Sequence, residues 1–281
     1  MKAAGVEKTA IRAFTGHYQA LASGATGIIC EDDILPVENL PKLDDITVSH
    51  DSASEALKKT AVIKLNGGLG TSMGLDKAKS LLPVRDNKTF LDIMLGQIMY
   101  DRQRFSARLP LLFMNSYRTR GDTEKYLEDK DNIRVDGLPM DFLQNSNPKI
   151  YVDDLSPAEW PESPELEWNP PGHGDFYPAI WGSGVLDQLL EAGFEYAFIS
   201  NSDNLGATAD EQIAGWFADS GASFAMEVCR RSVNDRKGGH LAIRKTDGRI
   251  ILRESAQVTP DEMKFFADEN LYTFFNTNSI W

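Results

Sequence analysis

Cysteine is nearly missing from this sequence: Cys30 and Cys229 are the only two in 281 residues. They lie far apart along the chain, so they offer neither a disulfide framework nor a CxxC metal pair, and both are expected to be buried, reduced packing residues. Long apolar runs are missing too. No stretch reaches the roughly 20 residues needed to span a bilayer, and the opening "MKAAGVEKTAIRAF" has no apolar core or cleavage site of the secretory kind. These absences point to the cytoplasm. Positive charge is in deficit, with 29 Lys and Arg against 42 Asp and Glu and a formal charge of −13. Binding a nucleic-acid backbone takes many cationic contacts, so this balance argues against such a partner. It leaves room for a small anion held by backbone N–H groups and a few local cations. Histidine is scarce as well, and His17, His50 and His240 have no metal-ligand spacing.

What is present is a hydrophobic content of 42%, enough to bury one large core or two modest ones. No internal repeat or low-complexity tract interrupts it. Residues 1–57 read as an amino-terminal helical extension. "EKTAIRAFTGHYQALASG" has apolar residues at helical spacing, "SASEALKKT" begins with capping residues, and the proline-punctuated "LPVENLPKLDD" connects them. From residue 58 onward strands and helices alternate, the pattern of a mostly parallel sheet covered by helices. Strands are expected at 61–65, 109–115, 195–200 and 223–229, and helices near 89–104, 119–128, 178–191 and 209–219. "IRKTDGRIILRE" predicts a hairpin with a tight primed turn at Asp247-Gly248. "LSPAEWPESPELEWNPPGHGD" carries too many prolines for helix or strand and predicts a long surface excursion.

The stretch "LNGGLGTSMG", residues 65–74, follows the apolar "AVIK" and has four glycines in eight positions. Glycine loses the most conformational freedom on folding, so this density implies positive φ or a close approach to something. A dinucleotide fingerprint starting at Gly68 would need glycine where Met73 stands. A P-loop would need Lys-Ser/Thr where Leu75-Asp76 follow Gly74. What remains is a bare backbone turn after a strand, with Lys77 and Lys79 just downstream. Such a turn lets a nucleotide lie against main chain while an ammonium reaches its phosphates, or serves as a strand-to-helix turn with no ligand.

Further blocks follow in order: "VIKLNGGLGTSMGLDKAKSLLPVR" with "TFLDIMLGQI", then "LLFMNS", "PPGHGD", "FISNSDNLGA", "KGGHLAI", "ESAQV" and "FFNTNSIW". Together, over about residues 58–281, they resemble the UTP–glucose-1-phosphate uridylyltransferases. The UDP-N-acetylhexosamine pyrophosphorylases are less similar, having Ala and Arg where this chain has Asn66 and Ser72. The resemblance implies an α/β nucleotidyltransferase domain (GT-A-like, Rossmann-like) over 58–281, with a twisted, mostly parallel, mixed sheet flanked by helices. It also implies magnesium-dependent transfer of UMP from UTP to glucose 1-phosphate. Lys79 matches the phosphate-binding lysine, whereas Lys77 and Arg85 do not and read as surface residues. Leu65, Gly67 and Gly68 match the uridine cradle, and Met114, Gln144 and Gly172 the remaining uracil positions. "DFLQNSNPKI" departs from the family's asparagine-glutamine-serine order, so the discriminating amide is Gln144 or a neighbour. His173 matches a phosphate-contacting histidine and Asp203 the magnesium ligand. Asn201, Gly239, Glu254 and Asn276 match the sugar pocket.

The family pattern continues past "FNTNSIW" with a second phosphate-contacting lysine and a carboxyl-terminal β-helix that often mediates oligomers. This chain is therefore expected to be the amino-terminal, incomplete part of such an enzyme. Alone, it is expected to turn over at most in trace amounts. A nucleotide-binding module without turnover and a pyrophosphorylase for another UDP-sugar are the alternatives. The failed fingerprint disfavours a dinucleotide-dependent oxidoreductase.

Overall fold

A computed structural model describes residues 1–69 and 77–281. Nine strands share one sheet: β1 (Ile34–Pro36), β2 (Thr60–Asn66), β3 (Leu111–Asn115), β4 (Asp141–Leu143), β5 (Tyr196–Asn201), β6 (Met226–Arg230), β7 (His240–Arg244), β8 (Ile250–Arg253) and β9 (Phe274–Ile280). Their order is β1-β7-β9-β5-β2-β3-β4, with β6 added on β9 and β8 on β7. β5, β2, β3 and β4 run parallel. The remaining pairings are antiparallel. The sheet is thus mixed, with its parallel half carrying the glycine run.

The helices are α1 (Lys8–Ala22), α2 (His50–Lys58), α3 (Phe90–Phe105), α4 (Arg120–Leu127), α5 (Phe176–Gly182), α6 (Val185–Glu191), α7 (Glu211–Ser220) and the single turn α8 (Met263–Phe266). α2, α3 and α7 each start on a capping side chain, whereas α1 has none. Thr89 and Asp92 form a reciprocal capping box on α3, Ser49 caps α2, and the Asp210 carboxylate accepts from Gln212 N and Ile213 N on α7. None of the described helices is long and apolar enough to cross a membrane.

β2 is buried along its whole length, because its alternating side chains enter different cores on the two faces of the sheet. Val62 joins Leu57, Met94, Phe113, Phe198 and Phe217 on one face. Ile63 and Leu65 join Leu112, Met114, Phe142, Phe176 and Leu189 on the other. Each fully buried Leu or Phe contributes roughly 1.5–3 kcal/mol, which anchors the parallel strands and holds their carboxyl ends in register. Leu65 lies beside Met114 and Asn201, and Asn66 beside Asn115. The segments leaving β2, β3 and β5 therefore emerge together at one edge, where open α/β sheets hold ligands.

Several sequence expectations change. The connector "LPVENLPKLDD" contributes an edge strand, with Leu35 and Pro36 paired to Ile243 and Ala242. An edge is where a strand proline is tolerated. That region is tied to the sheet by Arg253, whose fully buried guanidinium bonds Glu31 at 2.6 Å and Glu262 at 2.8 Å. The helix expected over 178–191 is split, since Gly184 adopts φ +75° between α5 and α6. The hairpin after β7 has a wider loop than a primed turn, with Arg244 N donating to Arg249 O and Gly248 at φ +70°. Within the proline-rich excursion, Trp168–Asn169 pairs with Asn147–Pro148 after a 3-10 turn over Pro164–Glu167. Cys30 and Cys229 are exposed, not buried. Cys229 sits on β6, which among the described residues pairs with β9 alone, and Cys30 precedes a 3-10 turn.

Candidate active site

At the carboxyl edge of the parallel strands lies a cavity of about 290 Å³, lined by Leu65, Gly67, Gly68, Lys79, Met114, Gln144, Pro170, Gly172, His173, Asn201, Ser202 and Asp203. Leu65 and Met114 project from neighbouring positions of β2 and β3 and form an apolar floor. Residues 70–76 of the glycine run, Ser72 among them, lie outside the described residues. The ends of the run meet: Lys79 N donates to Gly68 O at 3.1 Å, and Leu69 bridges to Ala78. This return places Lys79 beside Gly68. Lys77 is exposed and does not line the cavity, and Arg85 is exposed beside Asp86.

The glycines answer to different constraints. A Cβ at Gly67 would lie 2.7 Å from Gln144 Oε1, so a side chain there would push the Gln144 amide aside. A Cβ at Gly68 would make only ordinary contact with Lys79 Cδ, at 3.7 Å. Gly172 has φ +101°, a conformation suited to glycine alone, and its carbonyl accepts from Gln144 Nε2 at 2.8 Å. Gln144 is buried and its backbone N donates to Asn115 O at 2.7 Å. Its neighbour Asn145 is committed elsewhere, with N and Nδ2 both donating to the Asp175 carboxylate. The amide that lines the cavity is Gln144.

His173 lies at the rim, where protein on one side of the ring strips water from it. Its pKa falls below the ordinary imidazole value despite the opposing charge of Asp203. This burial favours the neutral ring. Asp203, just past β5, has its carboxylate 3.5 Å from Lys79 Nζ. Both side chains are more than a third exposed, so this pair contributes at most about 1 kcal/mol and either group is available to a ligand.

A second cavity of about 230 Å³ shares Leu65 and His173 with the first and adds Tyr177, Glu254, Asn276 and Asn278. Gly239 lies beneath it, since any Cβ there would collide with the Glu254 carboxylate. Asn276 N donates to Gly239 O at 3.1 Å, and its side chain bonds Glu254, whose carboxyl burial pushes upward. Asn201 belongs to the first cavity.

Some site residues escaped sequence reasoning. Asn278, Ser202 and Pro170 line these cavities. Ser116 donates from Oγ to Gly67 O at 3.0 Å and fixes the start of the glycine run. Lys64, buried within β2, donates from Nζ to Ser200 Oγ and to Ala207 O, each at 2.7 Å, and so holds both ends of the loop carrying Asp203. Its signal was visible as a lone lysine inside "AVIKL".

The family model described as UTP–glucose-1-phosphate uridylyltransferase matches residues 11–281. The chain belongs to this family. It is 42% identical over 230 residues to the UTP–glucose-1-phosphate uridylyltransferase of Saccharomyces cerevisiae, covering 80% of this chain and 44% of that one. With the enzyme of the same name from Encephalitozoon cuniculi the identity is 37% over 254 residues, covering 90% of this chain and 50% of its relative. A mutant UDP-glucose pyrophosphorylase from Leishmania major, solved in complex with UDP-glucose, superposes with a TM-score of 0.91 at 44% identity, covering 100% of this chain and 61% of that one. This uridylyltransferase-family chain thus spans about half the length of the curated relatives it matches.

Proposed function

We propose that this chain forms the nucleotide and sugar-phosphate cradle of a UTP–glucose-1-phosphate uridylyltransferase. The proposed reaction transfers UMP from UTP to glucose 1-phosphate and yields UDP-glucose and pyrophosphate. One observation carries the reading: Leu65, Gly67, Gly68, Lys79, Met114, Gln144, Gly172, His173, Asn201 and Asp203 line a single cavity. They come from segments separated by up to 138 residues, counted from Leu65 to Asp203. Glu254, Asn276 and Gly239 cluster around the adjoining cavity.

Roles follow from the chemistry. A sugar phosphate is already ionised at neutral pH, so no general base is needed, and catalysis amounts to alignment and charge neutralisation. A phosphate oxygen of glucose 1-phosphate bonds to the α-phosphorus of UTP while the bond to the pyrophosphate oxygen breaks in line. Gly67 and Gly68 let the uridine rest on bare backbone over the Leu65–Met114 floor. Gln144 Nε2 is held by Gly172 O, and Oε1 has no donor among the described residues, which suits an imide N–H. Lys79 neutralises the phosphates and neutral His173 contacts them. Asn201, Glu254 and Asn276, backed by Gly239, meet the glucose hydroxyls.

The donor set near Asp203 fits magnesium. No group of three or more His, Cys, Asp and Glu that would enclose a metal occurs among the described residues. An exposed carboxylate past a strand end is instead the partial ligand that magnesium uses alongside substrate phosphates and water. When bound, that ion neutralises phosphate charge; Asp203 would hold it.

Isothermal titration tests the nucleotide assignment. UTP and UDP-glucose should bind at least about tenfold more tightly than ATP, since adenine is larger and reverses the donor pattern that Gln144 meets. Equal affinities for UTP and ATP would remove the uridine reading.

A further inference from the structure

Asn278 lies at an irregularity of β9. The pairing with β6 shifts there, with Val228 opposite Asn276 but Glu227 opposite Ser279. Asn278 adopts φ +57°, a left-handed conformation that asparagine tolerates better than most residues. Its backbone N donates to Asn276 Oδ1 at 2.8 Å, and Thr277 Oγ1 donates to Glu227 O at 2.7 Å, so the distortion is held from both sides. Bulges of this kind re-aim a side chain beside a site. Here the Asn278 Nδ2 lies 2.8 Å from His173 Nδ1 and 2.7 Å from Asn201 Oδ1.

An amide nitrogen carries two hydrogens, and these two acceptors use both. The same heavy-atom positions also admit the reverse wiring, in which both amides are flipped and His173 donates from Nδ1. The alternatives present opposite edges to a ligand. In the first, His173 offers Nε2–H and Asn201 offers its NH2. In the second, both offer lone pairs. Phosphate oxygens only accept, and no described residue bonds His173 Nε2, so only the first wiring serves a phosphate site.

We propose that Asn278 is the positioning residue that locks His173 with its proton on Nε2 and turns the Asn201 NH2 toward the ligand. The choice between wirings rests on the phosphate-site reading above. A single side chain thereby sets the donor polarity of the phosphate contact and of the sugar contact.

The test is the imidazole tautomer in the ligand-free chain near neutral pH, read from two-bond nitrogen–proton correlations and assigned by the signal lost in His173→Gln. The expected pattern is a protonated Nε2 and an unprotonated Nδ1. Asn278→Asp keeps the shape and tolerance for left-handed backbone but presents only acceptors, so the proton should move to Nδ1. Asn278→Gly keeps the backbone conformation without the amide and should give mixed tautomers. UTP binding should weaken about tenfold in Asn278→Gly while uridine binding stays about unchanged. A wild-type ring protonated on Nδ1, or an Asp variant that keeps the Nε2 proton, would overturn the proposal. If the tautomers behave as expected but the wild-type chain fails to bind UTP, the wiring stands and the phosphate-site reading fails.

Discussion

Adding one methyl at Gly67 should remove uracil recognition while leaving the fold almost untouched. In Gly67→Ala the new Cβ would lie 2.7 Å from Gln144 Oε1 and 3.6 Å from Ser116 Cβ. The first distance is impossible and the second is ordinary contact, so only the Gln144 amide has to move. That amide ends a flexible side chain, and moving it costs little sterically. What it gives up is the 2.8 Å bond from Nε2 to Gly172 O and its alignment for the base. Each such bond is worth about 0.5–1.5 kcal/mol, so UTP affinity should fall by about 1–3 kcal/mol, roughly five- to 150-fold. Preference for UTP over CTP should shrink toward unity, because the displaced amide no longer reads the imide edge. Gly68→Ala is the control: its Cβ meets only Lys79 Cδ at 3.7 Å, and selectivity should persist. Titration of both variants with UTP and CTP, alongside thermal melts, decides it. Intact UTP selectivity in Gly67→Ala, or an equal loss in Gly68→Ala, would refute the account of Gln144.

Lys79→Met should weaken UTP binding by about 1.5–3 kcal/mol, the range for a charged hydrogen bond, and affect uridine far less; titration with both compares them. Asp203→Asn is nearly isosteric and should abolish the gain in UTP affinity that magnesium provides while sparing magnesium-free binding, again read by titration. Lys64 should impose a pH slope. Burial lowers its pKa from 10.5 to about 8, so between those values the unfolded chain binds more protons and the fold gains stability as pH rises. Lys64→Met lacks this contribution, and urea melts at the two ends of that window should show a smaller change than wild type.

Three of the four parallel strands were legible because they obey one rule, while the short β4 went unseen. "AVIKL" is buried on both faces and reads as an apolar run broken by Lys64 alone, and the glycines that follow mark where it stops. β9 went unseen because the middle of "FFNTNSI" is polar: Asn276 and Asn278 face a cavity, and Thr277 bonds Glu227 O. β1 was hidden by its proline, which a sheet edge accepts. α5 and α6 merged in the sequence reading because "AIWGSGVL" keeps its apolar rhythm across the left-handed Gly184. The cavity-lining residues were found through ordered motifs, and Gln144 was told from Asn145 only by the Asp175 bonds that occupy the latter. Asn278 was missed for a related reason. Its importance depends on a register shift between distant strands, which no local pattern records.

The central claim is that residues around one cavity hold a uridine nucleotide with its phosphates toward Lys79 and His173. A crystal structure of the chain with UDP-glucose measures this directly. The account predicts the uracil against Gly67, Gly68 and Gln144, the phosphates within reach of Lys79 and His173, and the sugar toward Asn201, Glu254 and Asn276. A ligand bound elsewhere, or in this cavity with its sugar on Gln144 and its base on Glu254, would contradict it.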